Sequence, residues 1–156
     1  METRDMSAIS LPLDGTCRCG GVRMRVKGAP LFTCACHCTG CQKMSASAYS
    51  LSALFSADDF EVVEGEPVLG GMRGALQHFF CPACMSWMFT RPPGLEGLVN
   101  VRPTLFQDLS WFAVFAETYT IEKLPFAETG AVRSYDRFPD AGAFRELVDS
   151  YARWRT

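Results

Sequence analysis

Eight cysteines in a chain of 156 residues constrain the fold more than any other feature of this sequence. They fall into three groups: Cys17-Arg18-Cys19, then Cys34-Ala35-Cys36-His37-Cys38-Thr39-Gly40-Cys41, then Cys81-Pro82-Ala83-Cys84. The N-terminus, METRDMSAISLPLDG, lacks the basic-then-apolar layout of a secretory signal. No apolar run approaches the roughly 18 residues a membrane helix needs. The chain therefore reads as cytoplasmic, where disulfides are rare and clustered cysteines bind metal or do catalysis.

Cys81-Pro82-Ala83-Cys84 is a CPxC knuckle. Tetrahedral zinc takes thiolate sulfur at about 2.3 Å, which places ligand sulfurs roughly 3.8 Å apart. A tight CxxC turn supplies that spacing and a straight strand does not. One knuckle gives two ligands, so a closed site needs a second pair, and Cys17 with Cys19 is the available one. An ion shared this way closes a loop of about sixty residues, and its binding energy becomes folding energy. Cys36, Cys38 and Cys41 form a CxCxxC run that one bent loop can aim at a second ion. Three protein ligands leave a fourth position open for water or substrate, the pattern of a reactive zinc rather than a structural one. The alternative for this group is a redox dithiol or buried inert thiols. Cys34 is open between two roles. On an extended strand Cys34 and Cys38 lie about 13 Å apart, so Cys34 is either a small buried apolar residue or, after a sharp bend, a fourth ligand. His37, between two ligand candidates, is expected to point away from the ion and pack. His78 reads as a core or edge histidine rather than a base.

Around the cysteines the chain is a series of short strand candidates separated by glycine and proline: Gly15–Lys27, with Val22, Met24 and Val26 on one face, Leu31–Cys36, Ser50–Phe55, Phe60–Glu64, Pro67–Leu69, Gln77–Phe80, Trp87–Thr90, Leu98–Val101 and Leu109–Tyr119. One helix is expected, at the end, where Phe144, Leu147, Val148, Tyr151 and Trp154 share a face and Asp140 is placed to cap the N-terminus. The expected organisation is a leader over 1–13, a zinc-binding domain over 14–138, and a helix over 139–156 packed on that domain. A net charge of −2 builds no long-range field for nucleic acid or an acidic membrane. Arg18, Arg23, Arg25 and Lys27 are expected to form the solvated face of a strand.

The runs GTCRCGGVR, CHCTGCQKMSASA, FFCPACMSWMF and EKLPFAETGAVRSYDRFP resemble the glutathione-dependent formaldehyde-activating enzyme family. The resemblance spans roughly residues 14 to 138. It implies a mainly β, Mss4-like fold of small antiparallel sheets pinned by zinc, with two ions per chain. Cys17, Cys19, Cys81 and Cys84 would hold the structural ion. Cys36, Cys38 and Cys41 would hold the reactive one, where a small thiol such as glutathione acts. The implied activity is that of a carbon–sulfur lyase, adding the thiol to an aldehyde or removing it. Arg18, Arg23 or Lys43 would bind the carboxylates of such a thiol. Two rivals stand beside this reading: a non-catalytic two-zinc interaction module and a redox or metal-handling protein. Three departures from the family pattern stand out. Met85 replaces a usual glycine after the second knuckle cysteine, Gln42 replaces a usual basic residue, and Ala46 stands where glycine is common.

Overall fold

The computed structural model describes residues 8–72 and 74–156. The chain divides into two compact units, one of residues 1–29 and 55–113 and the other of residues 30–54 and 114–156. The fold is mostly β with a C-terminal helix, as the residue pattern implies. Most of the expected leader, residues 1–7, lies outside the described residues; Leu13 already belongs to the first strand.

In the first unit β1 (Leu13–Thr16) pairs antiparallel with β2 (Arg23–Val26), and β2 pairs in turn with a strand at Phe60–Glu64. The expected single strand over Gly15–Lys27 is therefore two. The chain turns back through Cys17–Val22, closed by Cys17 N–H to Val22 C=O at 3.1 Å and Gly20 N–H to Cys17 C=O at 3.0 Å. Gly20 sits at φ +79, which a side chain would resist. Val22, Met24 and Val26 are buried as expected. The opposite face is solvated, as expected, and also charge-paired: Arg23 and Arg25 remain about one-third exposed while Asp14 accepts from Arg25 at 2.6 Å and from Arg23 at 2.9 Å. The Arg25 contact, outweighing a small burial effect, holds the Asp14 carboxyl below the usual range.

The rest of the first unit is a run of antiparallel hairpins. Numbered along the chain after β3 (Phe32–Cys36) and β4 (Ser50–Ser56), the strands are β5 (Phe60–Glu64), β6 (Val68–Gly70), β7 (Gln77–Phe80), β8 (Trp87–Arg91) and β9 (Leu98–Val101), with β9-β8-β7-β6 side by side. The β7–β8 turn is the CPxC knuckle. Met24, Val26, Phe55, Met88, Phe89, Val99, Val101 and Trp111 are its buried apolar core.

In the second unit β3 is central. It pairs antiparallel with β4 and parallel with β10 (Ala116–Thr118), which pairs parallel with β11 (Arg133–Ser134). The sheets are thus mixed rather than all antiparallel. Four of the five β3 residues are buried, as suits a strand covered on both faces. Of the strand expected over Leu109–Tyr119, only Ala116–Thr118 forms. Asp108 diverts the preceding apolar run into a turn: its side chain accepts from Ser110 N–H at 2.9 Å, and its carbonyl accepts from Trp111 Nε1 at 2.8 Å.

Two α-helices are present among the described residues. The C-terminal one (Ala141–Trp154) starts where expected, with Asp140 Oδ1 accepting from Ala143 N–H at 2.9 Å. Leu147 and Tyr151 are buried, Phe144 meets Phe32 edge-on at 5.6 Å, and Phe115 lies 5.4 Å from Tyr151 and 4.9 Å from Trp154. The other, α1 (Thr39–Ser45), was not expected from the sequence; the C-terminal helix is accordingly α2.

Candidate metal and thiol centres

Each unit carries one cysteine cluster. In the first, the turn between β1 and β2 presents Cys17 and Cys19, and the turn between β7 and β8 presents Cys81 and Cys84. All four sulfurs lie within 4.8 Å of one another. The Cys17–Cys19 separation is 3.6 Å and Cys19–Cys81 is 3.7 Å. Thiolates around one tetrahedral zinc stand roughly 3.8 Å apart, so the donor set and spacing fit a soft metal ion. Backbone amides brace the cluster. Val22 N–H points at Cys17 Sγ at 3.3 Å, and Arg18 N–H donates to Ser86 Oγ, which lies 3.2 Å from Cys84 Sγ. The Ser86 contacts draw the Cys84 thiol down to about 5. Cys17 is also lowered: burial opposes the shift, but the Val22 amide and the sulfurs of Cys19 and Cys81 outweigh it. Cys19 is pushed up to about 11, the neighbouring sulfurs overriding the Gly21 amide. The knuckle closes with Met85 N–H to Cys81 C=O at 2.9 Å, and Met85 holds a left-handed φ of +58. That is the position where the family pattern favours glycine.

The second cluster is local. Cys36 ends β3, Cys38 caps α1, and Cys41 lies in its first turn; their sulfurs also fall within 4.8 Å of one another. The cap is the thiol itself, with Cys41 N–H donating to Cys38 Sγ at 3.3 Å. The C-terminal cap is Ala46 at φ +50. Gln42 lashes the loop, its Nε2 donating to His37 C=O at 2.7 Å and Glu122 C=O at 3.1 Å. Glu122 Oε1 in turn accepts from both the amide and the hydroxyl of Thr39. A hydrogen bond from Cys41, with burial opposing, pulls Cys36 down to about 5; the same contact pushes Cys41 up. Cys38 is raised, chiefly by burial. Among the three sulfurs, Cys36 is thus the one drawn toward the thiolate, and Cys38 and Cys41 are the ones drawn toward the thiol.

Cys34 is not part of this group. It is buried on β3 with its sulfur 3.4 Å from Ala35 C=O and 3.9 Å from Thr118 Oγ1. His37 is likewise outside the group and packs, fully buried, with its Nε2 3.0 Å from Glu117 Oε2. Glu117 carried no sequence signal, because a lone glutamate in an apolar run looks like any exposed strand residue. His78 is half-buried, meets Trp87 edge-on at 5.3 Å, and has its Nδ1 2.8 Å from Thr90 Oγ1. Burial, with the Arg102 charge, lowers its pKa. Of the cations expected to hold carboxylates, Arg23 is engaged with Asp14 and with Glu64 at 3.5 Å. Arg18 stands in the first cluster. Lys43 alone shares an element with the second, exposed on α1.

The family model for the glutathione-dependent formaldehyde-activating enzyme matches residues 12–122. The chain belongs to this family. The match takes in all eight cysteines, Glu117 and Glu122; it ends before the segment EKLPFAETGAVRSYDRFP is complete. Among solved structures, a Rhodobacter sphaeroides protein is similar, at 22% identity over 60% of this chain and 87% of that one, with a TM-score of 0.48. No curated protein matches the sequence. For this member of the family, no helix among the described residues is long and apolar enough to cross a membrane.

Proposed function

We propose that this chain is a two-zinc carbon–sulfur lyase of the cytoplasm, acting on a glutathione-type thiol and an aldehyde. Cys17, Cys19, Cys81 and Cys84 hold a structural ion, and Cys36, Cys38 and Cys41 hold the reactive one. The observation that carries the reading is the inequality of the two clusters: four sulfurs in one and three in the other, with Cys34 outside it. Four thiolates saturate a tetrahedral ion, whereas three leave a position for an incoming ligand.

Zinc at the second site would supply an activated sulfur, lowering the pKa of a bound thiol until it is nucleophilic near neutral pH. The protein's part is to hold the cluster at the end of β3 and the start of α1, half-buried and reachable. Lys43, an exposed cation on the same helix as Cys41, is our candidate for a carboxylate of the thiol substrate. The overall reaction joins the sulfur to the aldehyde carbon, opens the carbonyl π bond and protonates its oxygen, giving a hemithioacetal. The lyase direction is the reverse.

The test is turnover. Formaldehyde and glutathione mixed with the zinc-loaded protein should form the S-hydroxymethyl adduct faster than the uncatalysed reaction, and Cys41→Ser should remove the acceleration. No acceleration with formaldehyde or other small aldehydes would refute the lyase assignment and favour a non-catalytic zinc module.

A further inference from the structure

The second unit buries a carboxylate beside its cysteine loop that the chemistry above does not use. Glu117, on β10, is only 7% exposed. Its Oε2 faces His37 Nε2 at 3.0 Å and accepts from Thr129 Oγ1 at 2.7 Å, while Oε1 accepts from Ser134 Oγ at 2.8 Å. Burial alone would raise its pKa, but these three donors outweigh that and hold it low. An ionised carboxylate only accepts, so His37 Nε2 carries the proton of that bond. The other ring nitrogen, Nδ1, is buried with no hydrogen-bond partner among the described residues. His37 is thus held by one edge of its ring and by its main chain, whose N–H donates to Thr118 C=O at 3.0 Å.

A buried carboxylate costs several kcal/mol unless fully paired, and an apolar residue of similar size would serve stability as well or better. What this arrangement offers is position. His37 lies between Cys36 and Cys38, so fixing its ring fixes the turn that sends the chain out of β3 and into α1. Tyr49 closes the other side of the ring at 5.4 Å, edge-on. From the same strand-and-turn segment, Glu122 holds Thr39 and Gln42 on the far side of the loop. Tyr119, between the two glutamates, takes a left-handed φ of +55, a strained conformation held by its surroundings.

We infer that Glu117 is a positioning residue: through His37 it sets the geometry in which Cys36, Cys38 and Cys41 meet one ion. The inference rests on the second cluster being a metal site, and its test separates the two. Wild type, Glu117→Ala, Glu117→Gln and Thr129→Val would be loaded with cobalt, whose thiolate bands report the ligand set, and challenged with a chelator. In parallel, amide hydrogen exchange would be followed in the metal-free proteins. A hydrogen bond made directly to a metal ligand is typically worth about 10- to 100-fold in affinity; Glu117 acts one residue removed, through His37, so the expected loss is at the low end, about 10-fold.

Glu117→Ala should weaken the second site by that factor, alter its cobalt bands, speed exchange over residues 37–45, and leave the Cys17/Cys19/Cys81/Cys84 site unchanged. Glu117→Gln keeps an oxygen for His37 and should rescue most of the loss; Thr129→Val should show a smaller loss. Should Glu117→Ala fail to fold, Thr129→Val and Glu117→Gln decide. Folded variants with wild-type affinity, bands and exchange would overturn the inference, as would a Gln variant no better than Ala. A wild type that loads no second ion, yet whose 37–45 exchange responds to Glu117→Ala, would refute the metal site and leave the positioning role standing.

Discussion

The two cysteine clusters are built by opposite strategies. The first gathers its sulfurs from two turns far apart in the chain, with Cys19 and Cys81 separated by 62 positions. The second takes all three from six consecutive residues at the junction of β3 and α1. An ion in the first closes a long loop and replaces part of a core; an ion in the second closes almost nothing. The physical consequence, on the proposed two-ion reading, is that binding energy at the first site would be folding energy, while at the second it would be free for ligand exchange.

The largest expected effect follows directly. Cys81→Ser should abolish the cooperative thermal transition of the first unit, since a lost structural ion removes much of the roughly 10 kcal/mol or more such sites contribute. Cys41→Ser should keep a cooperative melt with less bound metal. Circular dichroism melts with metal analysis of the same samples decide it, and the reverse order of damage would exchange the two roles.

Chelation should sharpen the contrast. A stepwise titration with a strong chelator should strip the three-thiolate site first, with little change in far-ultraviolet circular dichroism, and unfold the protein only when the second equivalent leaves. Simultaneous loss of both ions would break the distinction.

The pH dependence has a definite sign. In the second cluster the Cys41 contact draws Cys36 down to about 5, while Cys38 and Cys41 are pushed above the ordinary thiol value. Those two thiols must lose protons before they can bind an ion, so affinity rises with pH and falls toward acid. Calorimetry in buffers of differing ionisation heat should find about two protons released per ion at this site near pH 7. Release of none would mean that Cys38 and Cys41 are not both ligands.

The smallest effects concern backbone strain. Met85→Gly and Ala46→Gly each place the one residue without a Cβ at a left-handed position. Relief of about 1 kcal/mol is partly offset by the freer unfolded chain, so each should gain roughly 0.5 kcal/mol in chemical denaturation. The Met85 change should act on the first unit, and the Ala46 change on α1 beside the second cluster.

These two positions also show how much was legible in the sequence. Met85 and Ala46 were marked because glycine is usual there, and both backbones are left-handed. The grouping of seven of the eight cysteines was readable from spacing, because CxC and CxxC turns leave few ways to bring sulfurs together. The α2 face was readable from its helical period and its Asp140 cap. Helix α1 was not, since it buries no residue and is capped by a cysteine thiol rather than by Ser, Thr, Asp or Asn. The strand expected over Gly15–Lys27 read as continuous because its alternation survives the turn: Val22 is buried beside Met24 and Val26. The parallel pairing of β10 with β3, and with it the meeting of Glu117 and His37 across 80 positions, has no local signature at all.

The most direct test of the account is a glutathione titration of the cobalt-substituted protein, followed through its thiolate-to-cobalt bands. The open three-sulfur site should respond and the four-sulfur site should not. Cys34→Ala should behave like wild type, since Cys34 stands outside the cluster, and Cys41→Ser should remove the response. Indifference of wild type to glutathione, with both sites loaded, would contradict the claim that the second centre is open to a thiol.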